Sequence, residues 1–127
     1  EENIMMHRLG ATFYVIWGVL HVNAAYMLYQ MGAAMDPSVL EARISQAAWH
    51  LLFFGVVAIV VGVRMNWRNS ALGYLINMVI LSVADLGFIF IVFIPPLPLW
   101  PAILGPLFWA LAAVFSTLGY LKEPRTA

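Results

Sequence analysis

Four apolar runs, 9–31, 46–65, 71–94 and 102–121, occupy most of this chain and leave almost nothing between them from which a soluble domain could be built. A bilayer's hydrocarbon core of about 30 Å is crossed by about 20 apolar residues of helix, and each run meets that length. Composition excludes the soluble alternative. With 64% hydrophobic residues, 9% charged ones and a mean hydropathy of +0.91, the chain has too little polar surface to cover an aqueous globule. The runs are continuous rather than alternating with period two, so spanning β-strands are not expected. The sequence predicts an all-α, single-domain integral membrane bundle of four transmembrane helices.

Charge gives an orientation. Arg8, Arg64, Arg68, Lys122 and Arg125 lie at the termini or between the second and third runs, and only Arg43 lies on the other side. The positive-inside rule therefore places both termini on the cytoplasmic side of a multi-pass protein, with the bacterial inner membrane as the expected location. Zero formal net charge and the lack of any basic run give no reason to expect nucleic acid. Without cysteine there is neither a disulfide nor a thiolate metal site. The chain begins Glu-Glu, which points to processing or trimming, and no signal-peptide pattern precedes the first run.

Local signals set the expected helix ends. Asp36-Pro37 reads as an N-cap followed by proline at the first helical position, so the second helix is expected to be continuous from 37 to 65. The short 66–70 turn makes the second and third helices antiparallel neighbours. The proline-rich 95–101 segment ends the third helix as a stiff outer hairpin. Ala58 and Gly62, spaced small-xxx-small, point to a close helix approach. The tryptophans are mostly expected in interfacial belts, because Trp49, Trp67 and Trp100 stand at span ends.

Ionisable residues within the runs carry the functional reading. Asp85 lies near the middle of the third run, where an unpaired carboxylate costs several kcal/mol. At 1.5 Å per residue, His21 and Asp85 fall roughly 15 Å below the outer boundary and His50 roughly 6 Å. Asn23, Tyr26, Gln46 and Ser82 share that outer half, whereas the inner half shows little beyond Asn77, Tyr14 and Tyr74. Such sorting by depth looks like a ligand pocket or a half-channel. Asp85 and His21 are read either as a pair that fastens two helices or as groups that handle a ligand or a proton. Tyr26, Ser82, Phe54 and Phe88 are the expected lining of a pocket for a small lipophilic ligand. No His-Glu-x-x-His motif is present, and Ser82 has no histidine on its own helix to activate it.

Ala48-Trp49-His50, the basic 64–68 turn, Ala84-Asp85-Leu86-Gly87-Phe88 and Gly119-Tyr120-Leu121-Lys122 follow one another in an order that resembles the styrene oxide isomerase family of small membrane enzymes. The resemblance implies four spans, a homo-oligomer and haem b held between protomers. It implies His50 as the iron ligand and an epoxide oxygen polarised by the metal. The residues themselves add that His21 and His50, on neighbouring helices, are the pair a bis-imidazole haem site requires, and that Asp85, with His21, would orient the substrate or balance charge. The chain departs from the family where 52–55 read Leu-Phe-Phe-Gly and where Ile89 follows Gly-Phe. Two other readings stand beside it: a non-catalytic accessory subunit of a larger membrane complex, and an oligomeric proton or ion pathway through Asp85.

Overall fold

The computed structural model describes residues 5–95 and 102–127. Helix α1 spans Met6–Ala33, α2 Val39–Arg64, α3 Ala71–Phe88 and α4 Leu104–Lys122, and no strand ladder forms among the described residues. All four helices are long and apolar enough to cross a membrane. Even α4, with 19 residues, reaches about 28 Å at 1.5 Å per residue. The expected hairpin at 95–101 lies, beyond Pro95, outside the described residues.

Two helix starts show how local chemistry sets the boundaries. The second helix begins two residues later than expected: Ser38, not Asp36, is its N-cap, and the Ser38 hydroxyl accepts from the Glu41 amide at 3.1 Å. Ser38-x-x-Glu41 has capping-box spacing, which outweighs the Asp-Pro signal. The Glu41 carboxylate accepts from the Ser45 hydroxyl at 2.8 Å rather than closing the box. Residues 66–68 form a single 3₁₀ turn, after which Asn69 takes a left-handed conformation with φ 55° and Ser70 caps α3. Asparagine is one of the few non-glycine residues that adopt this conformation readily. At the other end, α3 widens into a π-helical turn over Ile89–Phe93. The widening falls just before Pro95, whose missing N–H and bulky ring bar an α-helical bond to the Ile91 carbonyl.

Helix α1 sits between α2 and α4, and close approach on both sides depends on residues without side-chain bulk. A Cβ on Gly18 would lie 2.6 Å from the Gly55 carbonyl oxygen, and one on Gly55 would lie 2.8 Å from the Gly18 oxygen. Ala11 and Gly62 continue this seam. On the opposite side Gly10 meets the Ser116 backbone equally closely. Without a hydrophobic drive inside lipid, backbones that can touch are what hold such helices together. The core is Tyr14, Trp17, Ala58, Leu81 and Ala112, whereas the outward faces carry Val19, Val56, Val60, Leu75, Val79 and Val83. Polar side chains turn inward and aliphatic ones outward, the reverse of a water-soluble bundle.

Polar residues do not in fact gather at the end of the bundle away from the termini. Among the described residues the half that carries the termini holds its own network: the Tyr14 and Ser116 hydroxyls lie 3.0 Å apart, and those of Tyr74 and Thr117 3.1 Å apart. Asn77 donates to Asn66 Oδ1 at 2.8 Å. Asn69 donates to the carbonyls of Gly119 and Pro124. The expectation failed because Asn66, Asn69, Ser116 and Thr117 read from sequence as turn residues or isolated hydroxyls, and only the fold brings them together. Near the termini, Glu123 accepts from the backbone amides of Met6 and His7 and pairs with His7 Nδ1 at 2.5 Å. The tail is thereby clamped across the start of α1.

Candidate functional site

One buried cluster joins three helices in the half of the bundle away from the termini. Trp17 and His21, four residues apart on α1, share a face, and their rings stack with centroids 3.6 Å apart and planes 18° from parallel. The Trp17 Nε1–H donates to Asp85 Oδ2 at 2.6 Å, so α1 and α3 are joined at this level. Asp85 belongs to the inward stripe of α3 made of Gly73, Asn77, Leu81 and Asp85, and is only 1% exposed. Its second oxygen, Oδ1, has no hydrogen-bond partner among the described residues. Buried polar atoms are nearly always paired, and an unpaired carboxyl oxygen at this depth calls for a specific explanation.

The imidazole is oriented as firmly as the carboxyl group. His21 Nδ1 lies 2.8 Å from the Trp17 carbonyl oxygen. A carbonyl can only accept, so Nδ1 carries the proton and, in the neutral ring, Nε2 keeps its lone pair. That edge of the ring faces Gly105 on α4. A Cβ at Gly105 would lie 3.3 Å from Asp85 Oδ1, 3.4 Å from His21 Cε1 and 3.7 Å from His21 Nε2. Gly105 thus leaves a notch just short of methyl size, bordered by the orphan carboxyl oxygen and the free imidazole nitrogen. His21 is half-buried, so the notch lies toward the outside of the bundle rather than deep within it.

The structure brings His21 and Asp85 together and leaves His50 out. His50 is exposed on α2, where Ala48, Gly55, Ala58 and Gly62 form the packed face. It lies about 200° around the helix from Ala48, which is why sequence depth alone placed it wrongly beside the other two. A three-residue site from His50, His21 and Asp85 within one chain is therefore corrected to His21, Asp85 and Trp17. Tyr26 is likewise outside the cluster: it is 59% exposed, and its hydroxyl accepts from Gln30. Ser82, one turn before Asp85, is engaged by Trp109 Nε1 at 3.1 Å. Phe54 packs against the core that contains Trp17, and Phe88 is half-buried on α3.

Gly105 and the bond from Trp17 to Asp85 were what sequence reasoning missed. Helical spacing alone sets Trp17 beside His21 on α1, and the structure shows it fully buried. Among the described residues no group of three or more histidine, aspartate or glutamate side chains converges as a metal cluster would. No family model, curated protein or solved structure matches this chain.

Proposed function

We propose that this is a multi-pass membrane protein, with both termini on the cytoplasmic side, that binds a small lipophilic molecule at Asp85, His21 and Gly105 in the outer half of the bilayer. The observation that carries the reading is the orphan Asp85 Oδ1 beside His21 Nε2, both bordering the Gly105 notch. A ligand hydroxyl can donate to either atom, whereas a ketone or epoxide oxygen can only accept, from Asp85 Oδ1 in its protonated form; either way the apolar body of the ligand is left to the surrounding side chains. Trp17 holds both groups: its indole fixes one carboxyl oxygen, its carbonyl fixes the imidazole tautomer, and its ring supports the imidazole face. An acid and a base that share one notch are also suited to moving a proton within a bound molecule, the chemistry of an isomerase.

Thermal stability of the detergent-purified protein, measured against a panel of small lipophilic alcohols, ketones and epoxides, tests this. Wild type is expected to be stabilised by a subset of the panel, and Asp85→Asn and His21→Ala to lose that response while staying helical. A panel that stabilises wild type and both variants alike, or none of them, overturns it.

Exposure of His50 favours a second reading, in which haem b lies between copies of the chain. The exposed Trp49, His50 and Phe53 give α2 an aromatic outward patch with an accessible imidazole, which suits a ligand completed by a neighbouring protomer. Bound there, the iron would supply Lewis-acid polarisation of an epoxide oxygen. His21 does not fit haem, because one ring face lies on Trp17 and Nε2 faces the Gly105 backbone.

A further inference from the structure

Far from the Asp85 cluster, at the end of the bundle that carries both termini, a groove of about 360 Å³ runs between α1 and α2. It is lined by Ala11, Thr12 and Val15 from one helix, Gly62 and Val63 from the other, and Trp67 from the turn. The groove exists because Ala11 and Gly62 have no bulk where the helices meet. A Cβ on Gly62 would already touch Val15 Cγ2 at 3.3 Å and the Ala11 carbonyl at 3.5 Å, so the helices meet closely at the floor. Thr12 does not make the groove polar, since its hydroxyl donates to the Arg8 carbonyl of its own helix at 2.8 Å. The walls are therefore apolar, aliphatic along the helices and aromatic at Trp67, as an acyl chain requires.

Arg8 closes the groove at its terminal end. Its guanidinium lies 5.3 Å from the centre of the Trp67 ring, and both side chains are exposed. Arg8 precedes Thr12 by four residues and Val15 by seven, so it stands above the groove on the same face of α1. Tryptophan and arginine at a span end mark the headgroup level of a bilayer. Arg64 and Arg68 lie exposed at this same end. Among the described residues, Glu123 at the start of α1 is engaged by His7 and by the amides of Met6 and His7.

We infer that this groove binds one anionic phospholipid, its phosphate beside Arg8 and one acyl chain along Ala11, Val15, Gly62 and Val63. A second copy is a poorer occupant, because two-fold packing on this face would bring the two basic ends together. The inference rests on the membrane-spanning reading but not on the Asp85 site.

Titration of the detergent-purified protein with phosphatidylglycerol and with phosphatidylcholine of the same acyl chains, read by thermal shift, tests it. Phosphatidylglycerol is expected to bind more tightly. Arg8→Gln should weaken it on the order of five- to tenfold and leave phosphatidylcholine unchanged, as loss of one cation near a headgroup predicts. Arg125→Gln removes the same charge from the same end, but Arg125 lies over Tyr120 of α4, which does not line the groove, whereas Arg8 lies over Trp67, which does; it should change little. Val63→Trp fills the groove from a side chain that is 54% exposed, and should weaken both lipids without disturbing the fold. Equal binding of the two lipids, equal losses in the two arginine variants, or no loss with Val63→Trp would each overturn the site. If alkaline carbonate releases the chain from membranes, the membrane-spanning reading falls with it; retention with any of those three results removes the lipid site alone.

Discussion

Trp17 Nε1 donates to Asp85 Oδ2 at 2.6 Å, and among the described residues this is the one hydrogen bond of a carboxyl side chain that is 1% exposed. The bond ties α1 to α3, while His21, stacked on the same indole, faces α4. The three helices are thus coupled through a single residue that touches both Asp85 and His21.

Removing that donor should cost more than changing the acceptor. Trp17→Phe leaves a buried carboxyl group with no partner, a penalty of about 1–3 kcal/mol before any loss of packing. Asp85→Asn keeps an oxygen for the indole. Melting followed by helical circular dichroism should therefore show Trp17→Phe well below wild type and Asp85→Asn much closer to it. Asp85→Asn also separates the roles assigned to this residue. Loss of stability marks a helix fastener, loss of ligand response with the fold intact marks a binding group, and loss of proton transport in vesicles marks a carrier. If the variant changes none of the three, Asp85 has no special role.

Gly105→Ala should abolish ligand response with little effect on the unliganded protein. The added methyl group would sit 3.3 Å from Asp85 Oδ1 and 3.4 Å from His21 Cε1, contacts that shifts of a few tenths of an ångström accommodate. It would occupy the space that the ligand's polar group needs. A Gly105→Ala protein that still answers to the same alcohols or ketones would show that the notch is not the site.

The α1–α2 seam predicts a sharp contrast between two glycines. On Gly18 a Cβ would meet the Gly55 oxygen and Ile59 Cγ1, both at 2.6 Å, so Gly18→Ala must push backbones apart. Overpacking of this kind costs about 1–3 kcal/mol. Gly87, within α3, has nothing within 4 Å of its would-be Cβ, and alanine there should be neutral or stabilising by a few tenths to about 1 kcal/mol. Matching melting temperatures for the two variants would contradict the packing described.

The clamp at the termini makes stability depend on pH. Burial pushes the Glu123 carboxyl upward, but the His7 side chain, the amides of His7 and Met6 and the nearby imidazole charge outweigh it and hold the group below its ordinary value. A carboxylate depressed by folding contributes stability above the ordinary carboxylate range, and that contribution fades as pH falls through the depressed value. Wild type should therefore exceed Glu123→Gln in melting temperature at pH 7, with the gap narrowing toward pH 3. A gap that stays constant would show that the carboxylate charge contributes nothing.

Legibility differed by level, for physical reasons. The four helices could be read because bilayer thickness fixes the length of an apolar run, and Asp85 and His21 stood out because ionisable groups are rare at that depth. Ala58 and Gly62 were readable as a close-approach pair. What spacing could not show was azimuth between helices: His50 and His21 are both plausible by depth, yet one faces outward and the other lies beside Asp85. Trp17 was hidden for the same reason, since nothing within α1 says that its indole meets a carboxyl group on α3. Gly105 was invisible because a missing side chain acquires meaning only from what surrounds the gap.

The His50 reading makes a spectral prediction that the Asp85 site does not. If haem b is held between copies at the exposed face of α2, protein expressed with ample haem should show a Soret band that shifts on reduction. His50→Ala should lose that band, and His21→Ala should keep it, because His21 Nε2 faces Gly105 and its ring lies against Trp17. The His50→Ala protein should fold normally, since His50 is exposed and lies off the buried face of α2. It should also keep its response to small lipophilic ligands if these bind at Asp85. Loss of colour with His21→Ala alone would move the cofactor to the buried cluster and require α4 to shift at Gly105. A colourless wild type would remove haem from the account and leave the Asp85, His21 and Trp17 cluster as the site to pursue.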